Sequence, residues 1–437
     1  MPTYTETLLH RFYDQLMESQ YWSADRMRAY QREQLAQLLG HARANTPFYA
    51  TRLDAVFRVD GSIDFSRWRE IPVLKREDLV AHRQAMLASN VPSHHGQAQD
   101  FQTSGSTGTP ITVRGNGIAS LAGRAAEFRA FNWHGIDFSQ NLCRIVDDPA
   151  VARWPGGRGG GPWGPQWAYG TSAGRVAEIS MFDSYEHIAD FVQRSEASYL
   201  ITGSTTAQAL ALEAERLGIT LRLDKLFTTG STPTGPERDA IARVFGASLL
   251  QRYASKEANA MGHSCPTGDH FHIHSENALV EVLRADGEPC GPGETGTVVV
   301  TPFLSTHQPM IRYEQGDLAT VGGPCSCGRT LPVLASIAGR LSHVFRFPDG
   351  TSTYRRLPES LREVLQARVW QIAQVKPLRI ELRYEPHDPA VSGDEAAVIA
   401  FMRTLYPADV ELAIRRVDKV PLTLAGKLIE YSYEVEG

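Results

Sequence analysis

The chain has 437 residues, enough for more than one domain with its own core. A hydrophobic fraction of 42% and a charged fraction of 21% exclude a disordered or fibrous chain. The net charge of −5 excludes a broad basic surface for nucleic acid or an anionic membrane, and no apolar run approaches the ~20 residues needed to span a bilayer.

The start, Met1-Pro2-Thr3-Tyr4-Thr5-Glu6, has no basic end leading into an apolar core, so no secretory signal is expected and the chain reads as cytoplasmic. Apolar residues recur at three- and four-residue steps from Leu8 to Met17 and from Met27 to Ala42, which predicts two helices in a mainly helical leader over residues 1–90. Asn45-Thr46-Pro47 breaks the second, and a further helix is expected after Ile71-Pro72-Val73-Leu74.

Thr103-Ser104-Gly105-Ser106-Thr107-Gly108-Thr109-Pro110 packs five hydroxyls and two glycines into one stretch. Glycines let a backbone turn its N–H groups around an anion, and hydroxyls add donors without bulk, so the composition suits a phosphate. The spacing is neither that of a Walker loop nor a dinucleotide fingerprint, and taken alone such a cluster is ordinarily a solvated loop. Residues 118–133 follow as a helix, with Arg124 and Arg129 expected to face out.

Residues 153–170 hold three Trp and one Tyr among seven glycines and three prolines. That density of Gly and Pro excludes a helix or a central strand. Surface loops seldom spend three Trp on solvent, so the stretch is read either as a mobile loop or as a wall of a pocket for a flat apolar ligand. From 178 to 250 short β runs alternate with helices: Tyr199–Gly203, a helix over 206–217, Lys225–Gly230, a helix over 236–245, then Ser248–Tyr253. Units of this size imply a parallel sheet with ligands at its C-terminal strand ends, where Thr228–Thr232 and Tyr253–Glu257 fall. From 270 to 300 the texture is antiparallel. After Gly339-Arg340, an amphipathic helix is expected over 357–373, a strand from Leu378 to Tyr384, a helix over 392–405, and strands at Val410–Val417 and Leu428–Val435. The expected fold is α/β: a large N-terminal domain of mixed sheets and helices, residues 1–340, and a small α+β domain, residues 341–437.

In this order the segments resemble the phenylacetate–CoA ligase branch, capsule-biosynthesis relatives included, of the adenylate-forming superfamily, over nearly the whole chain. The residues that carry the resemblance are Ala44-Asn45-Thr46-Pro47-Phe48-Tyr49, Ile71–Leu79, the hydroxyl-rich Thr103–Pro110 and Tyr253-Ala254-Ser255-Lys256-Glu257. Arg312-Tyr313-Glu314-Gln315-Gly316-Asp317, Gly339-Arg340 and Thr423-Leu424-Ala425-Gly426-Lys427 complete the series. The resemblance implies attack of a carboxylate on the α-phosphate of ATP, loss of pyrophosphate, and transfer of the acyl group to CoA.

By resemblance, Thr103, Ser104, Gly105, Ser106, Thr107, Gly108 and Thr109 hold the β- and γ-phosphates, and Glu257 helps place Mg²⁺. Tyr253 stacks on adenine, with Thr229, Gly230 and Ser231 along its edge; Asp317 binds the ribose hydroxyls and Arg340 the ribose or phosphate. Lys427 bridges carboxylate and α-phosphate, carried on a small mobile domain that the family rotates about its hinge between half-reactions. Charge builds on phosphoryl oxygens in this chemistry, so preoriented donors and cations are its main source of acceleration. Four positions depart from the family pattern: Lys256 stands for the usual Thr, Ala254 for Gly, Ser231 where relatives commonly have Glu, and His343 where the hinge usually has Asp.

Cys265, His272, Cys325 and Cys327 make a complete tetrahedral zinc set, closed and therefore structural. Spacing leaves free thiols as an equal alternative, and the resemblance favours zinc. His270, His272 and His274 alternate onto one strand face, so His270 or His274 stands as an alternative ligand; His270 replaces the glycine found in metal-bearing relatives. Cys290 reads as a bystander.

The first reading is thus an aryl or arylacetic acid–CoA ligase using ATP, Mg²⁺ and CoA, with structural Zn²⁺, in a family that often forms dimers. A second keeps adenylation with another acceptor: a carrier-protein thiol, an amine or a sugar hydroxyl. A third is a zinc-stabilised nucleotide-binding protein without catalysis. None involves nucleic acid or a membrane.

Overall fold

The computed structural model describes residues 3–102, 111–168, 172–230, 233, 235–340, 345–349, 351–353, 357–358, 360–420 and 430–435. It divides into two compact units, the larger built from residues up to Phe101 and Val113–Ala338, the smaller carrying the chain from Gly339 onward.

The leader helices form where their caps allow. Thr3 and Glu6 exchange hydrogen bonds in a capping box at the start of Tyr4–Ser19. Ser23 caps Ala24–Asn45, which ends before Pro47 because a residue preceding proline is pushed out of the helical region. Asn116 accepts from Ala119 N–H at 2.9 Å and so starts the helix Gly117–Trp133.

These helices lie against a twelve-stranded mixed sheet. Its parallel part orders Ser248–Ser255, Lys225–Thr229, Tyr199–Gly203, Leu142–Val146 and Arg175–Ser180 side by side, as the strand–helix alternation predicts. Register and period-two patterning agree across it. Cys143, Leu200 and Leu226 point to the face covered by Tyr185–Arg194, Ser204–Leu217 and Gly235–Phe245. Leu142, Tyr199, Phe227 and Leu250 point to the face covered by Tyr4–Ser19 and Gly117–Trp133. The antiparallel part continues through Asn259–Ser264, Phe271–Ile273, Val333–Arg340, Tyr313–Val321, Thr295–Pro302 and Ala278–Leu283.

Two expectations are corrected here. The Gly/Trp stretch contributes an edge strand, Arg158–Pro162, antiparallel to Arg175–Ser180. Two of its tryptophans are half-buried against the core: Trp163 packs on Phe138, Phe131 and Tyr199, and Trp167 on His10, Tyr13 and Phe128. Trp154 stacks on His187 with ring centroids 4.1 Å apart. In the smaller unit the expected helix over 357–373 is only Ser360–Val364, and Ala367–Lys376 is a strand. The Leu357, Leu361, Leu365 spacing carries the helical signal, but the chain turns at Gln366, φ +54°, into the β-branched and aromatic run Val369, Trp370, Ile372. That strand pairs with Arg379–Pro386 and, in parallel, with Tyr431–Tyr433, while Glu411–Arg416 adds the far edge. Trp370, Ile372, Leu382, Tyr384, Val398 and Met402 form this unit's core. Among the described residues no helix is long and apolar enough to cross a membrane.

Candidate functional site

The C-terminal ends of the parallel strands hold the described part of the expected nucleotide site. Thr229 ends its strand level with Arg252 of the next. Gly230 follows at φ +99°, in the left-handed region that glycine enters without strain. Tyr253 is 7% exposed, and its hydroxyl donates to Asp317 Oδ2 at 2.9 Å. The two residues are 64 apart in sequence and meet because the antiparallel half of the sheet folds Tyr313–Val321 back beside the strand ends. An aromatic face and a carboxylate held together at the rim suit an adenosine: the ring for stacking, the carboxylate as acceptor for two hydroxyls.

Four residues beyond Tyr253, Glu257 lines a cavity with Lys256, Phe101, Ser120, Ser305 and Gln308. Ser255 Oγ accepts from Ala258 N–H at 3.0 Å and shapes the turn that presents Glu257. The Lys256 ammonium lies 5.8 Å from the centroid of the Phe101 ring. Arg114 forms a two-toothed bridge to Asp100 at 2.7 and 2.9 Å, which holds that carboxyl below the usual range. Phe101 and Val113 lie on either side, in sequence, of the hydroxyl-rich stretch.

The stretch Thr103–Pro110, Ser231, His343 and Lys427 lie outside the described residues. Gly339 and Arg340 end the strand Val333–Arg340.

The remaining motif residues are structural. Arg312 sits at φ +53° and is 3% exposed; its Nη1 donates to Arg69 O at 2.9 Å and Ile71 O at 2.7 Å. Leu74 exchanges backbone hydrogen bonds with Arg312 and Glu314, and Lys75 pairs with Glu314 at 2.6 Å. The Ile71–Leu74 and Arg312–Glu314 motifs therefore dock on each other.

At the candidate metal site, Cys265, His272, Cys325 and Cys327 bring their ligand atoms within 4.8 Å of one another. Cys265 Sγ and Cys325 Sγ are 3.7 Å apart, and Cys327 Sγ lies 3.2 Å from His272 Nε2. A tetrahedron with zinc–sulfur bonds of about 2.3 Å has sulfur–sulfur edges of about 3.8 Å, so the donor set fits zinc. His270 Nε2 lies 3.0 Å from Cys325 Sγ, beside the four. His274 is turned elsewhere.

His274 belongs to a network that the sequence does not reveal. Arg129, expected to face out, is fully buried: it meets Glu276 at 2.6 Å, Leu16 O at 3.0 Å and His274 Nδ1 at 2.7 Å. Ser19 Oγ donates to the same Glu276 carboxylate. Because a guanidinium only donates, His274 Nδ1 accepts, its proton sits on Nε2, and Nε2 donates to His263 Nδ1 at 2.7 Å. Arg129 lies on a helix buried on nearly every side, with Phe128, Phe131 and Trp133 around it. The one available signal was that lack of a polar face.

No known protein-family profile matches the chain. It is 26% identical over 332 residues to a phenylacetate–coenzyme A ligase from Thermus thermophilus, covering 72% of this chain and 71% of the relative. Among solved structures it superposes on 2-hydroxyisobutyryl-CoA ligase in the postadenylation state with 2-HIB-AMP, with a TM-score of 0.67, 19% identity, and coverage of 96% of this chain and 93% of the other. It also superposes on the amide bond synthetase McbA from Marinactinospora thermotolerans, with a TM-score of 0.54, 15% identity and coverage of 97% of each chain. The fold is that of the adenylate-forming ligases, and the likeness to a phenylacetate–CoA ligase bears out the branch read from the motifs.

Proposed function

We propose that the protein is an AMP-forming acid–CoA ligase. A carboxylate oxygen attacks the α-phosphorus of ATP, the bond to the β-phosphate's bridging oxygen breaks, and pyrophosphate leaves. The CoA thiol then attacks the acyl carbonyl, loses its proton to solvent and displaces AMP. The observation that carries this reading is the Tyr253–Asp317 pair at the strand ends with Glu257 four residues on, in a chain with this fold and kinship.

In this reading Tyr253 and Asp317 hold adenine and ribose, with Thr229, Gly230 and Ser231 along the base. Thr103–Thr109 steady the departing phosphates, and Arg340 contacts ribose or phosphate. Glu257 holds Mg²⁺, a hard cation that takes oxygen ligands. Lys427 places one positive charge between carboxylate and α-phosphate, where it offsets the charge that builds as they approach. Zinc at Cys265, His272, Cys325 and Cys327 supplies cross-linking only, since all four positions are filled by protein. A cytoplasmic setting agrees with five free cysteines. Trp163 and Trp167 pack against the core, so the aryl reading rests on the phenylacetate–CoA ligase likeness rather than on them.

Pyrophosphate release across a panel of carboxylic acids, with and without CoA, tests the reading. Acid-dependent release with acyl-CoA formation is expected; its absence with every acid removes the ligase. Release without acyl-CoA moves the acceptor to a carrier-protein thiol, an amine or a sugar hydroxyl. Lys427→Ala is expected to suppress adenylate formation far more than thioester formation from a supplied adenylate, and equal loss in both steps contradicts its role.

A further inference from the structure

Lys256 stands at the tip of the hairpin that joins Ser248–Ser255 to Asn259–Ser264. Ser255 Oγ accepts from Ala258 N–H and Asn259 closes the turn at φ +55°, so the tip is fixed from both sides. The side chain is exposed, and among the described residues it forms no ion pair with Glu257 or with any other carboxylate. Arg114, the other cation beside Glu257, is committed to Asp100 through two hydrogen bonds of 2.7 and 2.9 Å. Lys256 is the uncommitted positive charge of the pair.

Its position is set by Phe101. The ammonium lies 5.8 Å from the centroid of that ring, within reach of the attraction of an aromatic face for a cation. Phe101 rests in turn on Gly115, where a Cβ would stand 3.0 Å from Phe101 Cε2. Glycine there leaves the ring its seat. Phe101 and Gly115 belong to Ala98–Gln102 and Thr112–Asn116, two strands that pair with each other and flank the hydroxyl-rich stretch in sequence. Gln308 Oε1 accepts from Arg114 N–H at 2.7 Å and Asn116 Nδ2 donates to Leu304 O at 2.7 Å, which ties this neck to the larger unit. A free ammonium is thus parked at the root of the stretch whose composition suits a phosphate.

Resting on the ligase reading, we propose that Lys256 binds the pyrophosphate end of ATP, a β- or γ-phosphate oxygen, as a point charge added to the donors of the hydroxyl-rich stretch. An ammonium on a flexible four-carbon stem can leave the ring for a phosphate beside it. An exposed contact with an aromatic face is weak, and a charge-assisted hydrogen bond to phosphate is stronger, so the exchange is favourable. The same charge holds the departing pyrophosphate, so tighter ATP binding comes with stronger product inhibition.

Lys256→Met keeps the stem and removes the charge. It is measured for pyrophosphate release at varied ATP, with thermal unfolding to establish that the fold is intact. KM for ATP is expected to rise roughly tenfold or more, with kcat and KM for the acid within about twofold. Inhibition by added pyrophosphate should weaken by a similar factor. Thioester formation from a supplied acyl adenylate, which has neither phosphate, should be unchanged. Lys256→Arg should retain most of the affinity for ATP, and Phe101→Leu should fall between, since it removes the seat and keeps the charge. The wild-type KM for ATP should also climb more steeply with salt than that of Lys256→Met, because an exposed charge is screened. An unchanged KM for ATP in Lys256→Met, a loss that falls on KM for the acid instead, or an equal loss from supplied adenylate overturns the proposal and leaves the ligase standing. No release by the wild-type protein with any acid overturns the ligase reading itself.

Discussion

The Arg129 guanidinium and the Glu276 carboxylate meet at 2.6 Å with side-chain exposures of 0% and 1%. A buried pair with extra hydrogen bonds on both sides is costly to halve. Arg129→Met is expected to lower stability by about 3–5 kcal/mol in denaturant titration. Arg129→Met with Glu276→Leu should recover part of that loss, because no charge is then left stranded. A single-mutant cost below about 1 kcal/mol would show that the pair is satisfied by water rather than by its partner.

The same network sets a pH dependence. Burial holds His263 and His274 well below the usual histidine value, with the charges of Arg129 and Arg252 acting in the same direction. His134 and Glu276 also face the network. A group whose folded pKa is depressed binds more protons when unfolded, so stability is present above about pH 6.5 and is lost as pH falls below it. Each histidine contributes a slope of up to about 1.4 kcal/mol per pH unit. Urea midpoints between pH 7.5 and 5 should fall accordingly, and less steeply in His263→Gln; parallel curves count against the assignment.

Tyr253→Phe removes the donor that positions Asp317 while keeping the ring. A hydrogen bond to a charged group contributes about 1.5–3 kcal/mol, so KM for ATP should rise on the order of tenfold with little change in kcat. Asp317→Ala should cost more, since it also removes the acceptor for ribose. An unaltered KM in both variants removes the adenosine from this position.

Purified protein should contain about one zinc per chain, and Cys325→Ser should lose it together with several degrees of melting temperature. Elemental analysis and thermal unfolding with and without a strong chelator read both effects. A metal-free protein of unchanged stability would mean that the four donors form a thiol cluster only.

Trp163→Ala is a stability variant in this structure. Its ring touches Phe131, Phe138 and Tyr199, and Nε1 donates to Gln140 O at 2.8 Å. It should cost about 3 kcal/mol or more and leave KM for the acid unchanged once the protein is folded. A raised KM at unchanged stability would return the stretch to the substrate.

What was legible in the sequence followed local rules. The parallel strands announced themselves through alternation with helices, and the Tyr253, Asp317 and cysteine–histidine residues through their spacing in known motifs. What escaped depends on contacts between distant residues. Arg129 looks solvent-facing until Glu276, 147 residues away, is placed beside it. The core packing of Trp163 and Trp167 escaped because nothing nearby in sequence shows that Phe138 and His10 will stack against them. Residues 367–373 read as helix because the leucine spacing before them continues by eye through a turn that Gln366 makes.

Arg312 and the carbonyls of Arg69 and Ile71 have a consequence for synthesis. The contact to Arg69 spans 243 residues, and Tyr49 likewise reaches forward to Pro309. At roughly 5–20 residues per second, the ribosome needs on the order of ten to fifty seconds to deliver the partner of this first segment. During that interval Leu38, Leu39, Tyr49, Leu53 and Ile71 have no Ile311 to pack against. The leader is therefore the part of the nascent chain most exposed to chaperone capture, and the larger unit can complete its folding only after its antiparallel half has been made.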